Sequence, residues 1–146
     1  MVSRHSSNLF AVSPINTRAD EVYELIIRRV ADSLGLKPLR ADKLSDAGCI
    51  NRQIDDHLNH DAVVVADVTE CNENVSLELG WRLCTGKPCV IIAERGKKLP
   101  FRITTHRVIF FNLNDVADVE ACRQAICEAI EAQLKRAQLR LVPATV

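Results

Sequence analysis

The residues best suited to chemistry lie in residues 63–81, which read VVVADVTECNENVSLELGW. An apolar run ends at Asp67, and a helical segment follows that carries Glu78 among leucines. A carboxylate at the end of a buried strand can orient a ligand hydroxyl, and a carboxylate on the helix that follows can project toward the mouth of a site. Asp67 and Glu78 are therefore the first candidates for a functional site.

Both carboxylates also have a purely structural interpretation. Asp67 can accept hydrogen bonds from the amides of its own following loop. Glu78 and Arg82 are four residues apart in the favourable order, which predicts a surface ion pair worth a few tenths of a kcal/mol. The pattern alone leaves these alternatives open.

The helix from about Asn74 divides into three strips when it is wound at about 100° per residue. The first apolar face consists of Val75, Leu79 and Leu83, and a second apolar face consists of Leu77, Trp81 and Cys84. A narrow polar strip separates the two faces and consists of Asn74, Glu78, Arg82 and Thr85. Glu78 should lean toward the N-terminus of the helix and the mouth of a site. Gly80 weakens a helix, so we expect a neighbour packed closely against the backbone there.

The elements that must position these groups alternate between strands and helices. Strands are predicted at residues 8–13, 62–68, 87–93 and 107–112, with a short extended segment at 36–42, and the continuous apolar runs are typical of strands buried on both faces. Amphipathic helices are predicted at 20–34, capped by Thr17 or Asp20, and after residue 116. This order predicts an α/β fold with an open doubly wound parallel sheet of about five strands and helices on both faces.

Ligands of such sheets bind where the loops after the strands converge. These loops supply Ser13, Arg18, Asp42, Asn72 and Arg102 as candidates beside the residues above. The arginines are candidate phosphate ligands, although each can also be a solvated surface charge.

Composition excludes several classes of partner. Nineteen basic and nineteen acidic residues cancel in the 146-residue chain, which argues against a nucleic acid polymer. No apolar stretch approaches the roughly 20 residues that span a bilayer, and the N-terminus lacks a secretory signal, so we expect no membrane partner and a cytoplasmic location.

The six cysteines lack metal-ligand spacing, and we expect them to be small, buried and reduced. Neither a metal nor a cofactor is predicted, and His57, His60 and His106 have no identifiable partner.

Residues 67–88 resemble the nucleoside 2-deoxyribosyltransferase-like family, including its TIR-like and flavodoxin-like relatives. There the pattern is aspartate-leucine-threonine, a turn, asparagine-proline-asparagine-valine, glutamate-leucine-glycine and glycine-lysine-proline. The chain matches it at Asp67, Thr69, Asn72, Asn74, Val75, Glu78, Leu79, Gly80, Gly86, Lys87 and Pro88. Weaker similarity extends over residues 9–112. The chain departs from the family at Glu73, Leu77 and Arg102, where a proline, an aromatic residue and an aspartate are usual.

The resemblance implies an enzyme that cleaves or transfers at the N-glycosidic bond of a nucleoside, nucleotide or NAD-like molecule. It assigns the nucleophile to Glu78, and we expect Asp67 and Asn74 to orient the substrate. The three departures favour an alternative, a non-catalytic nucleotide-binding sensor or regulatory module. A phosphoacceptor module is disfavoured because Ser13 and Pro14 stand where an acidic pair should follow the first strand.

We also expect a homo-oligomer, because the second apolar face of the Glu78 helix needs a partner. The predicted organisation is a flexible N-terminus over residues 1–7, one nucleoside 2-deoxyribosyltransferase-like α/β domain over 8–138, and a C-terminal tail over 139–146.

Overall fold

Five parallel strands form one open sheet in the order β2-β1-β3-β4-β5. A computed structural model of the chain describes residues 5–44 and 47–141. The strands are β1 (Asn8–Val12), β2 (Lys37–Arg40), β3 (Val63–Asp67), β4 (Cys89–Glu94) and β5 (Val108–Phe111). The predicted open, doubly wound parallel sheet is confirmed. Its strand order reverses between β1 and β3, which is where ligands bind in sheets of this kind.

Helices connect successive strands. The first crossover is α1 (Thr17–Val22), a π-helical segment (Tyr23–Ile27) and α2 (Arg28–Ser33) in unbroken succession. The others are α3 (Ile50–His60), α4 (Glu73–Cys84), the short α5 (Phe101–Thr104) and the long α6 (Val116–Leu141), and a 3₁₀ turn (Ala41–Lys43) follows β2. Parallel strands require such crossovers, because each strand must start again from the same end of the sheet.

Each face of the sheet carries its own hydrophobic core. Leu9 and Val65 point to the face covered by the first crossover and α6, whereas Phe10 and Val64 point to the face covered by α3 and α4. Neighbouring side chains of a strand point to opposite faces, so a strand covered on both sides needs apolar residues throughout. The continuous apolar runs of the sequence are thus explained.

The cap of the first helix differs from the prediction. The Asn16 side chain caps α1 by accepting a hydrogen bond from the Ala19 amide at 2.9 Å. Thr17 is already the first helical residue, and Asp20 lies within the first turn. The prediction overlooked asparagine, whose short amide side chain caps helices as well as serine does.

Two further local predictions were wrong. A Cβ built on Gly80 would meet no atom within 4 Å, so no neighbour packs closely there. The cysteines are free, but Cys49 and Cys84 are exposed rather than buried, because Cys49 precedes α3 and Cys84 ends α4 on its outward side.

The predicted flexible ends fall largely outside the described residues. Within them, His5 is buried and α6 continues to Leu141. None of the helices described over 5–44 and 47–141 is long and apolar enough to cross a membrane.

Candidate functional site at the carboxyl end of the sheet

Asp67 ends β3 and is fully buried. Its Oδ1 accepts hydrogen bonds from the Thr69 amide at 3.1 Å and the Thr69 hydroxyl at 2.6 Å, and its Oδ2 accepts one from Arg18 Nη1 at 3.1 Å. The Thr69 hydroxyl oxygen in turn accepts from the Glu94 amide at 3.0 Å, which ties the end of β4 to this loop. The structural interpretation of Asp67 is thus confirmed, because its charge is balanced by its own loop and by α1.

Arg18 joins the loops after β1 and β3. Beyond its bond to Asp67, its Nε lies 3.6 Å from Glu70 Oε1, an ion pair too long for a hydrogen bond. Asn16 donates from Nδ2 to Glu70 Oε2 at 2.7 Å, and this bond, assisted by Arg18, lowers the pKa of Glu70. Arg18 Nε and Nη2 are shielded from solvent and make no hydrogen bond. Arg18 therefore retains donor capacity at the point where the strand order reverses.

Asp42 and Arg40 form a second charged group after β2. Arg40 is buried and donates two hydrogen bonds to the Asp42 carboxylate, both at 2.7 Å, and a third to Asp20 at 2.6 Å. The Arg40 guanidinium also lies 4.9 Å from the centre of the Tyr23 ring. The hydrogen bonds from Arg40 lower the pKa of Asp42. The predicted ligand residue Asp42 is thus engaged in a bidentate pair with its neighbour.

Three predicted site residues have mainly local roles. Asn72 caps α4, since its side chain accepts a hydrogen bond from the Val75 amide at 2.9 Å. The hydroxyl of Ser13, which is half-buried after β1, donates to the Pro14 carbonyl at 3.0 Å. Asn74 is exposed in the first turn of α4.

Arg102 is not brought to the group around Asp67. It is exposed on the short helix α5, before β5, and it makes no ion pair with any residue in the described ranges. Its side chain extends into solvent from a helix of a single turn. The position of Arg102 after a strand was therefore not sufficient to predict that it belongs to the site.

Glu78 lies in the second turn of α4 and is half-buried. Burial raises the pKa of its carboxyl group, and the negative charge of Asp55 on α3 raises it further. Glu78 makes no hydrogen bond or ion pair with any residue of 5–44 or 47–141. Asp67, Arg18 and Asn72 are therefore not linked to it directly.

The alternative ion pair between Glu78 and Arg82 is wrong. Arg82 is fully buried, and its guanidinium donates to the backbone carbonyls of Leu58, Asp61 and Pro88 at 2.8 to 3.2 Å. Burial lowers the pKa of Arg82. An arginine in the polar strip of a helix cannot be recognised from sequence as buried, because its carbonyl partners come from distant turns.

The second apolar face of α4 is open to solvent. Leu77 is 68% exposed and Trp81 42% exposed, and Trp81 Nε1 donates to Asn59 Oδ1 at 2.9 Å. The expected homo-oligomer stays a prediction, and sedimentation velocity at micromolar concentration would contradict it by showing monomer alone.

A histidine-rich cluster at the opposite, amino end of the sheet was missed. We call the set His5, Asp56, His57, His60 and Asp61 the amino-end cluster. Its ion-pair contacts include His57 with Asp61 and His60 with Asp56, both at i,i+4 spacing. This spacing within residues 56–61 was readable in the sequence, whereas the contribution of His5 depends on the pairing of β1 with β3.

No family model matches the chain, and a comparison with curated proteins gives no match. Neither comparison shows a family for this chain, so a relation of residues 67–88 to deoxyribosyltransferase-like proteins stays a prediction.

Proposed function

We propose that the protein cleaves or transfers at the N-glycosidic bond of a nucleoside, nucleotide or NAD-like molecule, with Glu78 as nucleophile. The observation that carries the proposal is the state of this carboxylate: half-buried, raised in pKa by burial, and without a hydrogen-bonding or ion-pair partner among the described residues. Such an arrangement costs folding free energy, and perturbed carboxylates of this kind concentrate at functional sites.

The chemistry suits a single carboxylate. As the bond between the anomeric carbon and the base nitrogen breaks, positive charge develops on the sugar ring, and an ionised Glu78 can trap it as a glycosyl ester. The departing base takes the bonding electron pair. A purine or pyrimidine also takes a proton from solvent, whereas nicotinamide leaves as a neutral molecule without one. Water or a second base then attacks the anomeric carbon and releases the Glu78 carboxylate, so that the outcome is hydrolysis or transfer.

The carboxyl end of the sheet supplies groups for binding. Arg18 has two guanidinium nitrogens without hydrogen bonds, and Ser13 and Asn74 lie in or next to the same loops. A phosphate or a ribose hydroxyl is the acceptor that such donors favour. Because Nε and Nη2 of Arg18 are shielded from solvent, a ligand has to shift the neighbouring loops to reach them.

One observation favours the alternative, a nucleotide-binding sensor without turnover. Asp67 and Asp42, which we expected to bind substrate, are already engaged by Arg18 and Arg40. A site whose carboxylates are neutralised internally retains the capacity to bind a ligand but has fewer groups available for catalysis.

The deciding experiment is chromatographic detection of free base released from nucleosides, nucleoside monophosphates and NAD. We expect release by the native protein and loss of about a hundredfold or more in Glu78→Gln, since the amide cannot act as the nucleophile. Glu73→Gln is the matched control, because it removes the same charge from an exposed position of the same helix and should retain activity.

The other outcomes are equally informative. Saturable binding of one compound without release of free base would contradict the enzyme and support the nucleotide-binding sensor. Release that survives in Glu78→Gln would remove Glu78 from the mechanism, and absence of both release and binding would overturn both functions.

A further inference from the structure

The amino-end cluster is built around a buried carboxylate. Asp61 is 1% exposed; its Oδ1 lies 2.6 Å from His5 Nδ1 and 3.1 Å from Asn8 Nδ2, and its Oδ2 lies 2.8 Å from His57 Nδ1. The His57 ring stacks on Phe10, with centroids 5.1 Å apart. Several elements of the fold therefore hold these groups in place.

The contacts of Asp61 are hydrogen bonds rather than a metal-ligand arrangement. Two ligand atoms about 2.0 to 2.1 Å from a tetrahedral zinc ion lie roughly 3.3 Å apart. The distances of 2.6 and 2.8 Å from Asp61 to the two imidazoles are too short for that geometry. Asp61 can instead orient His5 by accepting a hydrogen bond from Nδ1–H, and in that tautomer the lone pair lies on Nε2.

The outer contacts are longer and lie nearer to the separation of zinc ligands. His5 Nε2 lies 3.1 Å from Asp56 Oδ2, and His60 Nδ1 lies 3.0 Å from Asp56 Oδ1. The three donor atoms of this group lie within 4.8 Å of one another. In that tautomer the lone pair on His5 Nε2 faces the Asp56 carboxylate, and a cation between the two would be attracted to both.

His60 can complete such a site. Its Nδ1 also lies 3.0 Å from the Asp56 backbone carbonyl, and its side chain is 55% exposed, so an ion can approach it from solvent. Two imidazole nitrogens and one carboxylate oxygen form a ligand set that suits zinc, with the fourth position left to water.

We propose that His5, Asp56 and His60 bind a divalent zinc ion, with Asp61 as the carboxylate that orients His5 from behind. A carboxylate in this position fixes the imidazole and strengthens it as a ligand. The ion would link the segment before β1, which supplies His5, to the end of α3, which supplies Asp56 and His60. The proposed ligands differ from Glu78 and from the groups around Asp67, so the zinc site does not depend on the proposed glycosidic chemistry.

The test is titration calorimetry with zinc chloride on untagged, chelator-treated protein whose exposed thiols have been alkylated. Alkylation is needed because Cys49 and Cys84 are exposed and thiolates bind zinc. We expect one saturable site, weakened about tenfold or more in His60→Ala and in Asp56→Asn. His106→Ala is the matched control, because this exposed histidine lies outside the cluster and its removal should leave the affinity unchanged.

A second measurement separates binding from damage to the fold. Zinc should raise the midpoint of thermal unfolding of the native protein and of His106→Ala, but not of His60→Ala, since an ion that binds only the folded state stabilises it. Equal zinc affinity in the native protein and His60→Ala, or no saturable binding to the native protein, would overturn the proposal.

Discussion

Nearer the carboxyl end of the sheet, Glu78 is half-buried and has no hydrogen-bonding or ion-pair partner among residues 5–44 and 47–141. Nearer the amino end, the fully buried Arg82 donates to three backbone carbonyls. Both side chains lie on α4, four residues apart. The difference between them is the supply of fixed acceptors or donors within reach. A buried charge with such partners holds the packed elements together, and a buried charge without them is tolerated where it has a function.

The same contrast extends to the neighbours of each residue. Arg82 lies beside the turn that carries Asp61, and its three acceptors join the end of α3, the start of β3 and the start of β4. Glu78 faces Asp55, a charge of its own sign. The amino end thus fixes how helices meet the sheet, and the carboxyl end holds an unsatisfied group.

The largest effect is expected from Arg82→Met. The substitution removes the donors of three buried carbonyls, and we expect the free energy of unfolding to fall by roughly 3 kcal/mol or more. Urea denaturation measures the change. Arg52→Met, at an exposed position of α3, is the control and should stay within about 0.5 kcal/mol of the native protein. An equally small change for Arg82→Met would show that the contrast between the two ends does not govern stability.

A smaller loss is expected from Asp67→Asn. The amide keeps the shape of the side chain but directs an NH₂ group toward a donor, either Thr69 or Arg18, so we expect a loss of about 2 kcal/mol. Asp32→Asn, at an exposed position of α2, provides the comparison and should change stability little. Urea denaturation measures both variants. If Asp67→Asn lowered the free energy of unfolding as little as Asp32→Asn, the hydrogen bonds of the buried carboxylate would not contribute to stability.

The smallest effect is the pH dependence that Glu78 contributes. Because burial raises the pKa of Glu78, the folded state holds this proton more tightly than the unfolded chain. The resulting stabilisation is present below the ordinary pKa of 4.5 and is lost as the pH rises through the folded-state pKa. The stability of Glu78→Gln relative to the native protein should therefore rise between about pH 4 and pH 7.

Denaturation at the two pH values measures that difference. Glu73→Gln, exposed on the same helix, should show no comparable rise. A constant difference for Glu78→Gln would indicate that its carboxylate finds a partner in solution.

Much of the fold followed from local patterns. The apolar runs at β3 and β4 predicted strands buried on both faces, and the alternation of strands with helices predicted the parallel sheet. The run at β5 also predicted a strand, but this strand lies at the edge of the sheet and is not buried on both faces, since Phe110 is 38% exposed. Position after a strand also placed Arg18 and Asp67 correctly at the same end of the sheet, where they meet at 3.1 Å. The same argument was insufficient for Arg102 and Asp42, because it gives the location of a side chain and not its partner.

The sequence by itself determined the order of strands and helices, the apolar faces and the position of Glu78 on a helix, because these depend on residues close together in the chain. The tertiary structure decided that Arg82 is buried and that His5 meets Asp61 across 56 positions of sequence. It also left Glu78 without a hydrogen-bonding or ion-pair partner in the part of the chain that the structure describes. Those outcomes depend on which turns come together when β1 pairs with β3. Hydrogen-bond partners contributed by distant backbone carbonyls and carboxylates leave no periodic pattern in the sequence.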